Sequence, residues 1–482
     1  MFHKLYSKIN IVRLIIFFAL LMSIIVSKYN LINYDRFFLN SIGENQNHIM
    51  IKYDAYRYLS HGAEIKKDLE DGKNFFETGR EHFTKYLPPR LAAAYYHFFD
   101  INLFNNFKDK KINLGVHFPY LLIQCLIYYL SLYFLYSVIS KKVDHKICLP
   151  IIIFLSLEPT IFQYHGTFWS ESTFFSLQLI LLAIIIKNEL KFYNFLLIGA
   201  FLSLLSLQRQ TAYFFIIFII FYYFIFLNKS QYHKLIYVIL AFFLVQSFVG
   251  YNNYVRDKKF YLFTSDTKTA VYYNIIDDII IKAEDLTPSR FKKLESEIAI
   301  NWLNENSIDY NKVDILNIEN TRYPFKEARS TIKLDSDKVK FDNFYASRTI
   351  DILLKYPITS FEVIAKRSLH SLLLNPFHIY SDHNFTSGEK YHLSDQHKKL
   401  IPLRITYTLF IYLISLFGIY VIYKKKDFKI LTILIISILY NYGMISWHGN
   451  TRYFVPVLIY ISFLFGYGIH GLFNIKKYFG KS

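Results

Sequence analysis

Ten apolar stretches dominate this chain of 482 residues: roughly 11–29, 113–139, 148–163, 170–186, 192–208, 211–228, 233–250, 404–423, 430–446 and 453–473. A helix needs about 20 largely apolar residues to cross a hydrocarbon core of about 30 Å. Within that core every backbone polar group must be satisfied internally, which leaves helices or closed barrels as the only spanning structures. Runs such as Ile11–Val26, Leu114–Ile139 and Phe214–Leu227 are continuous and almost free of charge, which is a helical and not an alternating pattern. The stretches 148–163 and 192–208 are the shortest. The sequence therefore predicts an all-α polytopic membrane protein with about ten transmembrane helices and two long extracytoplasmic segments. Composition agrees: 53% of residues are hydrophobic, against about 45–50% in soluble domains.

The formal charge is +18. Its distribution points to membrane topology and away from nucleic acid. Short cytoplasmic loops of membrane proteins collect Lys and Arg. With the N-terminus inside, the inner segments hold Lys4, Lys8, Arg13, Lys141, Lys142, Lys146, Lys187, Lys191, Lys229, Lys234, Lys424, Lys425, Lys426, Lys429, Lys476, Lys477 and Lys481. The short outer loops hold only Arg209 and Arg452. The opposite orientation would invert that asymmetry. The expectation is a multi-pass membrane protein with both termini cytoplasmic.

Cys125 and Cys148 lie in or beside predicted spans and have neither disulfide nor metal-ligand spacing. Residues 1–27 have the basic start and apolar middle of a signal peptide, but no small-residue cleavage site follows, so the sequence predicts a retained first span. The organisation expected is a first transmembrane helix at 1–29, an extracytoplasmic loop with interfacial helices at 30–112, a transmembrane bundle at 113–250, an extracytoplasmic mixed segment at 251–403, and C-terminal transmembrane helices at 404–482. In the first polar segment, Tyr53–Leu69 has helical spacing, and Pro88-Pro89 opens a second helical stretch, Arg90–Phe104. That stretch is aromatic and poor in charge, which suits a helix in the interface plane or one packed against the bundle. In the second segment, Thr287-Pro288 reads as a cap and first turn leading into 289–305. Residues 344–374 are amphipathic with Pro357 inside, which predicts two helices in place of one.

Charged residues at membrane depth are costly and are functional candidates by default. Here they gather at the outer ends of the spans. Glu158 and Glu171 flank the loop Tyr164-His-Gly-Thr-Phe-Trp-Ser-Glu171. Arg209 lies in the turn Ser206-Leu-Gln-Arg-Gln-Thr211, and the last outer turn reads Trp447-His-Gly-Asn-Thr-Arg-Tyr-Phe-Val-Pro456. Each residue also has a plain structural reading. Glu158 fits a helix-end cap, and Glu171 fits a carboxylate favoured by a helix N-terminus. Arg209 and Arg452 fit snorkelling to lipid phosphates. Asp54, between Lys52 and Arg57, fits a surface charge. His165 and His448 fit structural roles better than catalytic ones.

The order of these features resembles the GT-C superfamily of membrane glycosyltransferases that use polyprenyl-phosphate sugars. The nearest branches in pattern are the bacterial relatives of protein O-mannosyltransferases, the aminoarabinose transferases and the rhizobial lipopolysaccharide core transferases. The segment Lys52-Tyr-Asp54-Ala-Tyr-Arg-Tyr58 is similar to the family's early Asp-Glu-x-x-Tyr pattern, with Ala55 in place of the Glu. Tyr86-Leu-Pro-Pro89 and the apolar stretch Leu91–Phe99 resemble the family's proline-rich stretch and following helix. Ser170-Glu171 resembles its Glu at the outer start of a span, and Arg452-Tyr453 with Pro456 its late motif. The resemblance covers about 1–250 and 400–482, and leaves 251–400 uncovered.

The resemblance implies sugar transfer from a polyprenyl phosphate donor to an extracytoplasmic lipid, glycan or protein acceptor. It implies Asp54 as general base, with Glu171 as a second catalytic residue. Arg209 and Arg452 would bind the donor phosphate, with Arg90 and Lys85 as further candidates, and Tyr58, His448 and Tyr453 would contact substrate. It implies no certain cofactor; a divalent metal is compatible, although Ala55 weakens the inference of one beside Asp54. The sequence proposes no metal ligands. Two other classes stay open: a lipid-linked glycan polymerase or ligase, with its essential Arg or His in the late loop, and a non-enzymatic lipid or glycan transporter, with a polar path to the inner side. Nearly charge-free spans argue against the second, because transporters place polar groups near mid-membrane on broken helices.

Overall fold

The computed structural model describes residues 2–38, 54–78, 86–103, 114–187, 189–258, 260, 262, 272–310, 324–374, 395–445, 451–475 and 478. These residues form helices and connecting turns, with no strand among them; one isolated bridge pairs Tyr310 with Ile332. In chain order the principal helices are α1 (Phe2–Phe38), α2 (Asp54–Glu70), α3 (Leu87–Phe98), α4 (Phe118–Ile139), α5 (His145–Leu157), α6 (Glu171–Lys187), α7 (Phe192–Gln208), α8 (Phe215–Phe226) and α9 (Leu235–Asp257). They continue as α10 (Asp277–Ala283), α11 (Pro288–Glu305), α12 (Pro324–Thr331), α13 (Asp335–Lys355), α14 (Pro357–Leu372), α15 (Asp395–Lys424), α16 (Phe428–Ile445) and α17 (Thr451–Phe473).

Among the described residues, five segments are long and apolar enough to cross a membrane: Ile11–Tyr29, Gly115–Ile139, Lys229–Val255, Leu400–Lys424 and Phe454–Phe473. Shorter apolar helices occupy the other predicted positions. Helix α5, with 13 residues, covers only about 20 Å at 1.5 Å per residue. It stops where the sequence expected a span to continue to 163, because Glu158 turns extended and Pro159 opens a new helical turn, Pro159–Phe162.

The bundle is built around α17, whose apolar window is 83% buried. Helices in lipid gain little from the hydrophobic effect and associate through close packing, which favours small residues at contacts. Gly418 and Gly468 show this in α15 and α17. A Cβ on Gly418 would sit 1.8 Å from the Leu464 carbonyl oxygen, and one on Gly468 would sit 2.0 Å from that of Ile414. Gly199 lets α7 approach α9 equally closely, with a Cβ 2.2 Å from the Val238 oxygen. Helix α1 packs against α4 through Ser23, whose hydroxyl lies 2.8 Å from that of Tyr129.

Lysines mark one end of this bundle. Lys142 donates to the Lys187 carbonyl (2.9 Å) and Lys234 to that of Leu190 (2.6 Å), which ties neighbouring loops together. Lys142, Lys425 and Lys426 line a single pocket there with Asp144 and Asp427.

The second polar segment forms a subdomain with its own core, which includes Ile276, Leu303, Phe341 and Tyr345. Thr287 caps α11 by accepting from the Arg290 N–H (3.3 Å), and the chain breaks between α13 and α14 at Tyr356-Pro357, as the sequence predicts. Buried carboxylates of this subdomain are paired. Arg329 holds Asp342 through two hydrogen bonds of 2.7 and 2.9 Å. Arg348 donates to Glu295 (2.6 Å) and to the Tyr272 hydroxyl (3.0 Å), which itself donates to Glu295. Burial pushes the Tyr272 hydroxyl well above its ordinary pKa, so it stays a donor.

Candidate functional site

The end of the bundle opposite the lysines is where the polar side chains meet. Helix α7 ends at Gln208 because Arg209 turns extended (φ −148°, ψ 118°), and a short 3-10 turn, Gln210–Ala212, reverses the chain into α8. Helix α6 begins at Glu171, whose carboxylate sits at the positive end of the helix dipole. The two elements lie side by side: Gln208 donates from its side-chain amide to the Ser170 carbonyl at 2.9 Å. This brings Arg209 Nη1 to 3.5 Å from Glu171 Oε1, with the side chains 3% and 0% exposed. The Arg209 guanidinium also lies 5.5 Å from the centroid of the Phe174 ring. Arg209 is therefore paired within the protein and does not reach for lipid phosphate.

The connecting loop is packed into the same layer. His165 is fully enclosed; its Nδ1 lies 3.0 Å from the Ser172 hydroxyl, and its ring centroid lies 3.9 Å from that of Tyr128. This is a structural histidine, as its sequence context indicates. Glu158 accepts from the Ile161 N–H at 2.7 Å and from the Tyr407 hydroxyl of α15. It is the helix cap that the sequence offered as its plain reading, with an added tie to α15 that the sequence does not show.

The first polar segment folds over this end. Gly62 of α2 rests on α3, where a Cβ would lie 2.6 Å from that of Ala92. Tyr86, which precedes α3, donates its N–H to the Leu207 carbonyl at 3.1 Å, two residues before Arg209. Tyr96 of α3 hydrogen-bonds His117 at 2.9 Å, and the His117 ring contacts Phe168 of the loop. Helix α3 ends at Phe98 and not at Phe104, because Asp100 adopts φ 49° and breaks the helix. Six of its residues are buried while Phe98 and Phe99 stay exposed, so it packs against its neighbours along one face.

Of the residues singled out in the sequence, Glu171 and Arg209 are brought together. Arg90 is engaged elsewhere: it donates to Asn252 of α9 (2.9 Å) and stacks on Tyr86 with its guanidinium 3.6 Å from the ring centroid. It clamps the α3 start to α9, and Asn252 is a partner that sequence reasoning missed. Tyr58 is buried one turn beyond Asp54 on α2. Asp54 opens α2 and Arg452 and Tyr453 open α17, but their side chains lie outside the described residues, as do Lys85 and His448 altogether. The first turn of α17 lies at this same end, since Phe454 contacts the Tyr412 ring and Tyr412 reaches the Leu372 carbonyl (2.7 Å) where the subdomain rejoins the bundle.

Arg404 was also missed. It is 5% exposed and donates to the Leu374 and Leu373 carbonyls (3.1 and 3.3 Å), at the C-terminal end of α14, where a cation offsets the helix dipole. Its only sequence signal is a charge at the edge of a span. Among the described residues, no three His, Cys, Asp or Glu side chains gather as a metal-ligand set, and Asp54 lies outside that comparison.

Comparison with family models, with curated proteins and with solved structures finds no match to this chain.

Proposed function

We propose that the chain is an integral membrane glycosyltransferase that moves a sugar from a polyprenyl phosphate donor to an extracytoplasmic lipid, glycan or protein hydroxyl. The observation that carries this reading is the buried Glu171–Arg209 pair at the end of the bundle opposite the lysines, with the Tyr86–Leu207 contact beside it. It rests further on the resemblance of the early Asp, the Pro-Pro helix, the Ser-Glu and the late Arg-Tyr to the GT-C pattern. The bundle is read as about ten spans, with the lysine end cytoplasmic and the active site on the other face.

The reaction is a displacement at the anomeric carbon. Asp54 takes the acceptor proton as general base. The new glycosidic bond forms as the bond to the lipid phosphate breaks, and the phosphate leaves with the electron pair. Fixed guanidinium groups stabilise that developing charge, since they bind phosphate oxygens in bidentate fashion. With Arg209 enclosed beside Glu171, Arg452 is the first candidate for the direct phosphate contact in this reading, and Glu171 would hold Arg209. A base opposite the leaving phosphate yields inversion.

The test uses purified protein, radiolabelled polyprenyl phosphate sugar and an acceptor-bearing membrane extract. Asp54→Asn is expected to abolish transfer while the protein still elutes as a folded species. Transfer at the wild-type rate by Asp54→Asn would remove Asp54 as the base.

A further inference from the structure

Helices α13 and α14 carry a ridge that nothing among the described residues covers. Ile350, Leu354, Ile358, Phe361 and Leu369 are 59, 74, 75, 73 and 68% exposed. Their spacing follows one face of the two helices across the Tyr356-Pro357 break, with Ala365 between Phe361 and Leu369. The opposite side faces the protein: Ile352, Ser360, Val363 and Ser371 are buried. That side is also fixed by charge, because Arg367 donates to Asp278 at 3.0 Å and Lys282 pairs with Glu362. Large apolar patches on a protein surface mark an interaction site.

The position of the ridge identifies its occupant. The end of α14 is anchored to α15, a helix of spanning length. The Leu374 N–H donates to the Thr408 hydroxyl (3.0 Å), and Arg404 and Tyr412 take the carbonyls of Leu374 and Leu372. Thr408 lies about 12 Å along the axis from Leu400, where the apolar window of α15 begins. The end of α14 therefore sits at membrane depth. Leu403, Leu409, Phe410 and Leu413 of α15 are all more than half exposed, as lipid-facing residues must be in a span. The ridge and this lipid-facing surface are joined through one anchored connection.

We propose that α13 and α14 form a membrane-surface platform, with the ridge Ile350–Leu369 seated in the bilayer at the end of the bundle opposite the lysines. Lys366 lies exposed beside the ridge, within reach of lipid phosphate in the manner of interfacial amphipathic helices, while Lys355 pairs with Glu284 at 3.6 Å. The platform tethers the outer subdomain at both its helical break and its return to α15, so the subdomain is held at the membrane surface. This inference rests on the spanning helices and is independent of the catalytic reading.

Single cysteines at Ile358 and Phe361 test it, since Cys125 and Cys148 are both buried. Each variant is labelled with bimane and reconstituted into phosphatidylcholine vesicles, and Glu297→Cys on the exposed side of α11 serves as the reference. Nitroxide carried high on the lipid acyl chain is expected to quench the labels at positions 358 and 361 and to spare the label at 297. Aqueous iodide is expected to do the reverse. Iodide quenching at 358 and 361 equal to that at 297, with no effect of nitroxide lipid, would place the ridge in water and overturn the proposal. Self-quenching at 358 and 361 that disappears on dilution with unlabelled protein, without nitroxide quenching, would place a second copy of the chain on the ridge and overturn it equally.

Discussion

Replacing Glu171 by Gln removes one charge from a pair that solvent does not reach. The side chains are 0% and 3% exposed, and the nearest oxygen and nitrogen lie 3.5 Å apart. At an effective dielectric constant of about 20, attraction over that distance is about 5 kcal/mol. Desolvation of both ions offsets part of this, but the offset is lost asymmetrically when one partner goes: Arg209 keeps its charge and its desolvation cost while losing the carboxylate. Breaking one side of a buried pair costs about 3–5 kcal/mol, whereas removing both sides is often nearly neutral. Glu171→Gln and Arg209→Gln are each expected to destabilise by about 3–5 kcal/mol, and the double variant by less than either. The coupling is therefore expected to be at least as large as the larger single effect, about 3–5 kcal/mol, above the usual range for residues in contact. Equilibrium unfolding by SDS titration in mixed micelles measures it, with Trp169 in the adjoining loop as a fluorescent reporter that is 4% exposed. Single variants within about 0.5 kcal/mol of wild type, the range of an ordinary surface change, would show that the two charges do not depend on each other.

Two further expectations concern packing and pH. Gly418→Ala is expected to destabilise the bundle by about 1–3 kcal/mol, because the new methyl meets the Leu464 carbonyl. Gly443→Ala on α16 meets nothing within 4 Å and is expected to stabilise by up to about 1 kcal/mol through helix propensity; the same SDS titration separates the two, and equal effects would refute the close contact. Asp144 caps α5 by accepting from the Lys146 N–H at 2.9 Å, which holds its carboxyl below the ordinary value of 3.8. A pKa depressed by folding contributes stability above the unfolded value and loses it as pH falls through the folded one. Asp144→Ala is therefore expected to cost about 1 kcal/mol at neutral pH, and the difference from wild type is expected to shrink as the pH falls through and below 3.8, read from melting curves across that range.

The sequence by itself determined that the chain is helical and bound to a membrane, because apolar runs without charge leave the backbone no other way to satisfy its hydrogen bonds in lipid. It also located local signals that depend on neighbours within a few residues: the Thr287 cap, the break at Pro357, the start of α3 at the paired prolines and the cap formed by Glu158. Span length was less legible. The run 148–163 is apolar up to Leu157, and α5 stops there, because Glu158 and Pro159 begin a new turn whose carboxylate is claimed by Tyr407, more than two hundred residues away. The same limit applies to the candidate site. Glu158, Glu171 and Arg209 were visible while Arg404 was not, and the common end of the bundle could be inferred from helix order. Pairing was not visible: Glu171 meets Arg209 because two helix ends lie side by side, and Arg90 turns to Asn252 because α3 leans on α9. Only the tertiary structure decided which charges neutralise one another, which are spent on holding helices together, and which apolar face is left exposed. Those outcomes depend on distances between segments remote in sequence, and no local pattern records them.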